Sequence, residues 1–485
     1  MTSSHSKANP SIVFRGGTYH LWWTAKLVCP GASPGRCTRD TGPGVEKCCH
    51  PGFNWTISPN ATASGGLLYA NSSDGVTFSR PALGLNAVLG SAANNVVLQR
   101  DGNAAGQMGV FFDDNSGLFR AFGGAWPATV DGVVTTSNMG TAASRDGLRW
   151  TNWSSAADLK VQGDTSNNAL WDPHLRRYLG FSRVDTKERM NAYGLRKETL
   201  SESSDFARWD GHQVCLRGTA SGVLDGESYA LVPFALPGFS PGLYLGLGAF
   251  YDVSTGVVTN ELLRSTDYAK NWSRIQPGTP FIPHGHTLDN FTSYAGRAFL
   301  DPADPEGARL LMYYAGGDGP HSGRRRDYMM LAAADVTALI GFQPAPGSGT
   351  ATLRTAPLSM PVDTLTGRIG MSVRIGRGAH VVVAALPKDG GAVCATGEAR
   401  WPDSGTGADA GAGGAGADDS DPRAVQLGLS ARAAGGDGIV SRDVVWSTSS
   451  RAIAIGATAC GDGAVTFVFT VSAGPLYSFA LDARE

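Results

Sequence analysis

The sequence predicts an all-β chain, a five-bladed β-propeller followed by a β-sandwich domain, and three observations carry that prediction. A short turn motif recurs four times at a spacing of roughly 60 residues, the mark of a repeat architecture. Glycine supplies 65 of the 485 residues and proline 26, while only 17% are charged, a composition of strands and turns rather than helices. After Phe342 the chain changes character, becoming Val-, Ile- and Ala-rich strands punctuated by glycine.

The repeated motif reads Ser144-Arg145-Asp146-Gly147-Leu148-Arg149-Trp150. It returns as Ser72 to Phe78, as Ser203 to Trp209 and, one residue longer, from Ser265 through Asp267 to Trp272. The aspartates Asp74, Asp146, Asp205 and Asp267 are 72, 59 and 62 residues apart. Ser and Asp oxygens cap a tight turn, and glycine supplies the backbone freedom it needs. The closing aromatic residue is expected to start the outgoing strand and to pack between neighbouring units. Strand, turn and strand at this period fit the four-stranded blade of a propeller.

Taken in order, Ile12 to Thr24 is a hairpin about Gly16-Gly17, with an aromatic-rich second strand. Residues 27–65 form a Cys/Pro/Gly insertion in the first blade. Blade two covers about 86–153, with Val96 to Leu98, Met108 to Phe112 and Gly117 to Phe122 as strands. Blade three runs from Asn167 to Trp209, blade four over 225–275 and blade five over 290–342. Residues 343–349 are a linker, and 350–485 are the sandwich. Within it, 407–420 is low-complexity, and 465–471 and 476–481 are the closing strands.

A net charge of −2 gives no reason to expect nucleic acid or an anionic membrane as partner. No apolar run approaches the ~18–20 residues that span a bilayer, and a monomer is expected. Cys29, Cys37, Cys48 and Cys49 crowd one segment, without the paired C-x-x-C spacing of a zinc site, so disulfides are the expectation there. Six N-x-Ser/Thr sequons, at Asn54, Asn60, Asn71, Asn152, Asn271 and Asn290, point to the same secretory compartment. Met1 to Ala8 holds no apolar signal core, so a signal removed or a truncated start is expected.

Four segments carry a family likeness: N-P-S-I-V-F-R-G-G-T-Y-H-L-W-W from Asn9, D-T-S-N-N-A-L-W-D-P-H-L-R-R-Y-L-G-F-S-R from Asp164, L-L-R-S-T-D-Y-A-K-N-W from Leu262, and L-R-T-A-P-L-S-M from Leu353 with G-P-L-Y-S-F from Gly474. In these the chain resembles the invertase/levansucrase/arabinanase superfamily of five-bladed propeller glycosidases, and more closely its invertase-like members with a C-terminal β-sandwich. The resemblance implies three carboxylates facing a central funnel: a nucleophile or base near the N-terminus, a transition-state stabiliser in the middle and a later Glu as general acid. An oxocarbenium-like transition state demands such a set.

Carried over, Asp172 in W-D-P takes the stabiliser position and Glu227 in D-G-E-S-Y the acid position, with Asp225 competing for the latter. Read locally, Asp172 would instead cap the turn before Pro173, and Glu227 would be a solvated loop carboxylate. The first carboxylate departs from the pattern, because Asn9 stands where the superfamily has Asp. An amide cannot serve as nucleophile or base, which leaves a substitute such as Asp113 or Asp114, a different acceptor such as phosphate, or a site that only binds sugar. Arg183 could clamp a hydroxyl or carboxylate, and Asp318 with His321 lies on a Gly-rich loop of blade five. Trp22, Trp23 and Trp126 could stack on sugars, although propeller aromatics more often build cores.

The sequence therefore poses a glycoside hydrolase or transglycosidase against a degenerate glycan-binding propeller. A sialidase-like enzyme ranks third, since it needs an arginine triad. No cofactor or metal is called for by any motif, and the partner is a carbohydrate.

Overall fold

In the computed structural model the described residues are all-β, with a single 3-10 turn among them at Val336–Ala338. The structure describes residues 10–25, 49–50, 53–54, 66–87, 92–98, 108–130, 133–155, 166–184, 196–218, 226–321, 325–339, 341, 344–345, 347–355, 358–359, 368–376, 379–387, 395–400, 439–443, 445–446, 452–454, 464–472 and 475–483. These separate into two compact units. One takes in the described residues up to Pro305 and Leu311–Ala333; the other holds Glu306–Leu310 and those from Ala334 onward, apart from a stretch outside the described residues.

In the first unit, β1 (Ser11–Arg15) and β2 (Thr18–Ala25) precede a short pair, β3 (Cys49–His50) and β4 (Phe53–Asn54), then β5 (Gly66–Ser72) and β6 (Val96–Leu98). The first sheet has the order β1-β2-β5-β6. The second is built from β7 (Gly109–Asp113), β8 (Leu118–Val130), β9 (Val133–Ser144) and β10 (Thr151–Ser155), and the third from β11 (Asn168–Asp172), β12 (Arg177–Val184), β13 (Lys197–Ser203) and β14 (Asp210–Arg217). A fourth group follows as β15 (Glu227–Phe234), β16 (Tyr244–Tyr251), β17 (Val258–Ser265) and β18 (Ser273–Arg274). One parallel pairing, Val258 with Thr292, joins it to a fifth group of β19 (Thr292–Ala295), β20 (Phe299–Leu300), β21 (Arg309–Gly317) and β22 (Asp327–Asp335).

Apolar residues alternate along these strands and face their neighbours across five shared cores. Trp22 and Tyr69 of the first sheet meet Phe119 and Ala142 of the second, and Phe122 meets Trp209 of the third. Phe181 packs with Trp272 of the fourth group, and Tyr229 with Tyr294 of the fifth. Leu311 and Tyr313 of the fifth then pack with Ile12 and Tyr19 of the first, so the succession closes on itself. Trp22 is core, and Trp23 is half-buried against that last cluster rather than standing free as a stacking face.

The recurring turns form as their residue types dictate. The Asp74 carboxylate accepts from the amides of Val76 and Thr77 at 2.8 and 2.7 Å, and Ser72 Oγ accepts from Gly75 N at 2.9 Å. Asp146 and Asp205 repeat both bonds, and Asp267 bonds Ser265 and Asn271. The residue after each of the first three aspartates is left-handed: Gly75 at φ 74°, Gly147 at 71° and Phe206 at 66°. Each turn joins the third and fourth strands of its own group. Val96 to Leu98 accordingly pairs with β5 in the first sheet (Leu67 with Leu98, Leu68 with Val96), correcting its expected place in blade two. The turns also latch neighbours together: Trp22 Nε1 donates to Gly147 O at 2.9 Å, and Tyr313 Oη to Gly75 O at 2.7 Å.

These turns make the fold acid-sensitive. Turn hydrogen bonds hold Asp74 down to about 2, and at Asp146 they outweigh the opposing effect of burial to reach about 2. The folded values lie below the unfolded ~3.9, so the stabilisation is fully present above that value and is lost as pH falls towards 2. Thermal melting between pH 5 and 2 is expected to show a declining Tm, with a shallower decline in Asp146→Asn. An unchanged slope in that variant would count against the turns as the acid-labile element.

In the second unit, η1 (Val336–Ala338) leads to β23 (Ala351–Arg354), β24 (Leu358–Ser359), β25 (Arg368–Gly376), β26 (His380–Pro387) and β27 (Ala395–Arg400). They are followed by β28 (Ile439–Asp443), β29 (Val445–Trp446), β30 (Ala452–Ala454), β31 (Ala464–Ser472) and β32 (Leu476–Ala483). One sheet runs β23-β31-β26-β27-β29 with β24 beside β31; the other runs β28-β25-β30 with β32 beside β25. Alternate residues of both, Met371, Val373 and Ile375 with Val381, Val383, Val465, Phe467, Phe469 and Val471, fill one core. The stretch 407–420 lies outside the described residues, as do all the cysteines except Cys215, a buried free thiol, and the backbone of Cys49.

Candidate active site

The starts of β1, β7 and β11, each the first strand of its sheet, lie together in the first unit. Ser11 Oγ, on β1, accepts from Val110 N on β7 at 2.8 Å. A Cβ on Gly109, which opens β7, would collide with the backbone of Asn167 and Asn168 at the start of β11. On β12, Phe181 is paired with Asn168, which places Arg183 at this same end, and its Nη1 reaches Tyr229 O at 3.4 Å near the start of β15.

Glu227 opens β15, opposite Tyr251 of β16, and forms an ion pair with Arg196. Both are largely sheltered but not sealed, with side chains 11% and 18% exposed. Two residues on, a β-bulge leaves Tyr229 without a partner between the pairs Ser228–Phe250 and Ala230–Ala249. Bulges re-aim side chains beside functional sites, and Tyr229 is where this site converges. The Arg183 guanidinium lies 3.9 Å from its ring centroid and that of Arg196 5.8 Å. The rings of His321, Tyr294 and Tyr251 are 4.7, 5.7 and 5.9 Å away.

His321 is held from three sides. Its backbone N donates to Gly256 O at 2.7 Å, and its Nδ1 lies 2.5 Å from Tyr294 Oη. Its carbonyl accepts from Arg325, whose Nε also bonds Asp327 Oδ1 at 2.7 Å. Burial pushes the Tyr294 hydroxyl well above the usual phenol range, so it stays protonated beside Nδ1. Asp318 bonds Arg326 N through its carboxylate at 2.6 Å and Arg326 O through its own amide at 3.1 Å. It thus closes the neck of the loop that carries His321. Gly256 permits the docking: at φ 79° it has no Cβ where one would run into Pro320.

Of the residues expected from sequence, Glu227, Arg183 and His321 meet around Tyr229, and Asp318 positions the last of them. Asp172 does not join them. It ends β11, where Oδ1 accepts from the turn amides of His174 and Leu175 at 2.8 Å each and Oδ2 from Tyr244 Oη at 2.6 Å. Tyr244 adjoins Leu245, the partner of Phe234, so this contact lies at the far end of the eight-residue β15 from Glu227. At ~3.3 Å per residue that is roughly 20 Å away. Asp113 repeats the arrangement at the end of β7, accepting from Asn115 N at 3.1 Å and Tyr178 Oη at 2.6 Å, and Asp114 is exposed on its turn. Both buried aspartates therefore have the bonds of turn caps that also anchor the next sheet's tyrosine. Asn9 and Asp225, and the side chain of Trp126, lie outside the described residues.

Sequence reasoning passed over Arg196, Tyr229, Tyr251, Tyr294, Arg325 and Asp327. Tyr229 stands two residues after Glu227 and Arg325 in an Arg-Arg-Arg-Asp run, but nothing local ties these segments together.

No protein-family model matches the chain, and no curated protein does. Among solved structures it is similar to an N-acetylgalactosamine deacetylase from F. plautii in complex with blood group B trisaccharide, at 12% identity and a TM-score of 0.48 over 70% of this chain and 94% of that one. It is also similar to a GH32 β-fructofuranosidase from Bombyx mori, at 11% and 0.43 over 98% and 93%. An exo-β-1,3-galactanase from Phanerochaete chrysosporium matches at 12% and 0.36 over 99% of each chain.

Proposed function

We propose that the first unit is a five-bladed β-propeller, its five strand groups being the blades, that the second is a β-sandwich, and that the propeller acts on a carbohydrate as a glycoside hydrolase or transglycosidase. The observation that carries this reading is Glu227: a carboxylate at the opening of an innermost strand, partly open to solvent, with Arg196 on it and His321 packed on the neighbouring Tyr229 and Tyr251. A carboxylate so placed can exchange a proton with a glycosidic oxygen, while Arg183 and the tyrosines fix the geometry around it. The test is release of reducing sugar from fructans, arabinans and aryl glycosides, with Glu227→Gln alongside; a wild type inert on all of them would overturn the enzymatic reading.

One observation favours a second reading. Of Asp172, Glu227 and the substitute Asp113, only Glu227 stands at this end, so a propeller that binds glycans without cleaving them needs no further change to the site. The secretory location, the disulfides around Cys29 to Cys49 and the monomeric state belong to the proposal as well.

A further inference from the structure

We propose that this site receives an oxyanion, carried as a carboxylate on an acidic sugar or supplied free as inorganic phosphate. The inference rests on reading the Glu227 site as a carbohydrate site and names the chemistry of what enters it.

Three guanidiniums from separate stretches of chain meet on two adjacent rings. Arg183 and Arg196 lie 3.9 and 5.8 Å from the Tyr229 centroid, Arg325 lies 5.7 Å from that of Tyr294, and the two rings are 5.7 Å apart. Three carboxylates stand near these guanidiniums. Glu227 is taken by Arg196 and Asp327 by Arg325, and Glu198 lies opposite Arg183 in the β12–β13 register. On two of the guanidiniums a donor remains unmet among the described residues. Arg325 gives Nε to Asp327 and Nη1 to the His321 carbonyl, which leaves Nη2 buried with no hydrogen-bond partner among the described residues. Arg196 gives Nη1 to Glu227, and its Nε is buried in the same condition.

Buried donors on charged groups are rarely left unmet. A sugar hydroxyl offers one acceptor oxygen. A carboxylate or phosphate offers two or more in the geometry of a guanidinium fork, with charge-assisted bonds. Arg196, the more exposed of the two, is the first contact.

The experiment compares binding of an aryl hexuronide, the matching neutral aryl hexoside and inorganic phosphate by calorimetry, in wild type, Arg196→Gln and Arg325→Lys. Circular dichroism and melting establish that each variant is folded. The expected result is that the uronide binds at least about tenfold tighter than the hexoside and that each variant loses about tenfold for the uronide alone. Phosphate binding lost in the same two variants also supports the proposal and assigns the oxyanion to solution. Equal binding of uronide and hexoside, with no phosphate binding and no effect of either variant, overturns it. Cleavage of the neutral hexoside without anion dependence would overturn this inference while leaving the glycosidase reading intact. Phosphate binding without any sugar binding would support the oxyanion site and remove the carbohydrate reading.

Discussion

Glu227→Gln is expected to lower turnover of a responsive glycoside at least ~10²-fold with little change in Tm. The amide keeps the size and most of the hydrogen-bonding capacity of the carboxylate but can neither take up nor release the proton, and acid–base catalysis by one positioned group is worth about 10²–10⁴. The side chain sits at the rim of the site, so the stability cost is confined to the pair with Arg196, which leaves one partly exposed charge without its partner. Steady-state kinetics on the folded variant, with its melting curve beside them, check both halves. A Glu227→Gln enzyme with wild-type turnover would remove Glu227 from the chemistry.

Asp172→Ala is expected to do the opposite, costing about 3 kcal/mol of stability while leaving the turnover of the folded fraction within a few-fold of wild type. Truncation strands three donors, the amides of His174 and Leu175 and the hydroxyl of Tyr244, which is 5% exposed and bonded to Asp172. A buried donor left unmet costs about 1–3 kcal/mol, and the turn amides have better access to water than the tyrosine. Burial, together with the same bond, holds the Tyr244 hydroxyl far above the ordinary phenol range, so it stays protonated and donates to Asp172. Denaturant unfolding of Asp172→Ala and of Tyr244→Phe should show comparable losses, and the double variant less than their sum, because both remove the same contact.

How far the sequence could be read follows from where each signal is written. The Ser-x-Asp turns are local, so their residue types fix the geometry wherever they occur, and the repeat of groups follows from their spacing. Val96 to Leu98 falls in the first sheet rather than the second because the turn's place between third and fourth strands is a property of the whole group, not of the motif. Glu227 was legible as a carboxylate opening an apolar strand. Asp172 was harder, since the same W-D-P segment suits a turn cap and a catalytic group equally, and the Tyr244 hydroxyl bonded to it comes from the next sheet. Arg196, Tyr294 and Arg325 carry no local mark at all. They meet because the third and fifth strand groups bring the ends of their strands to Tyr229 of the fourth.

The most direct test of the account is a crystal structure of Glu227→Gln with an oligosaccharide the protein binds. The expected density lies at the start of β15, within hydrogen-bond reach of residue 227 and Arg196. Sugar bound instead at the Asp172–Tyr244 end of the strands would contradict the placement of the site.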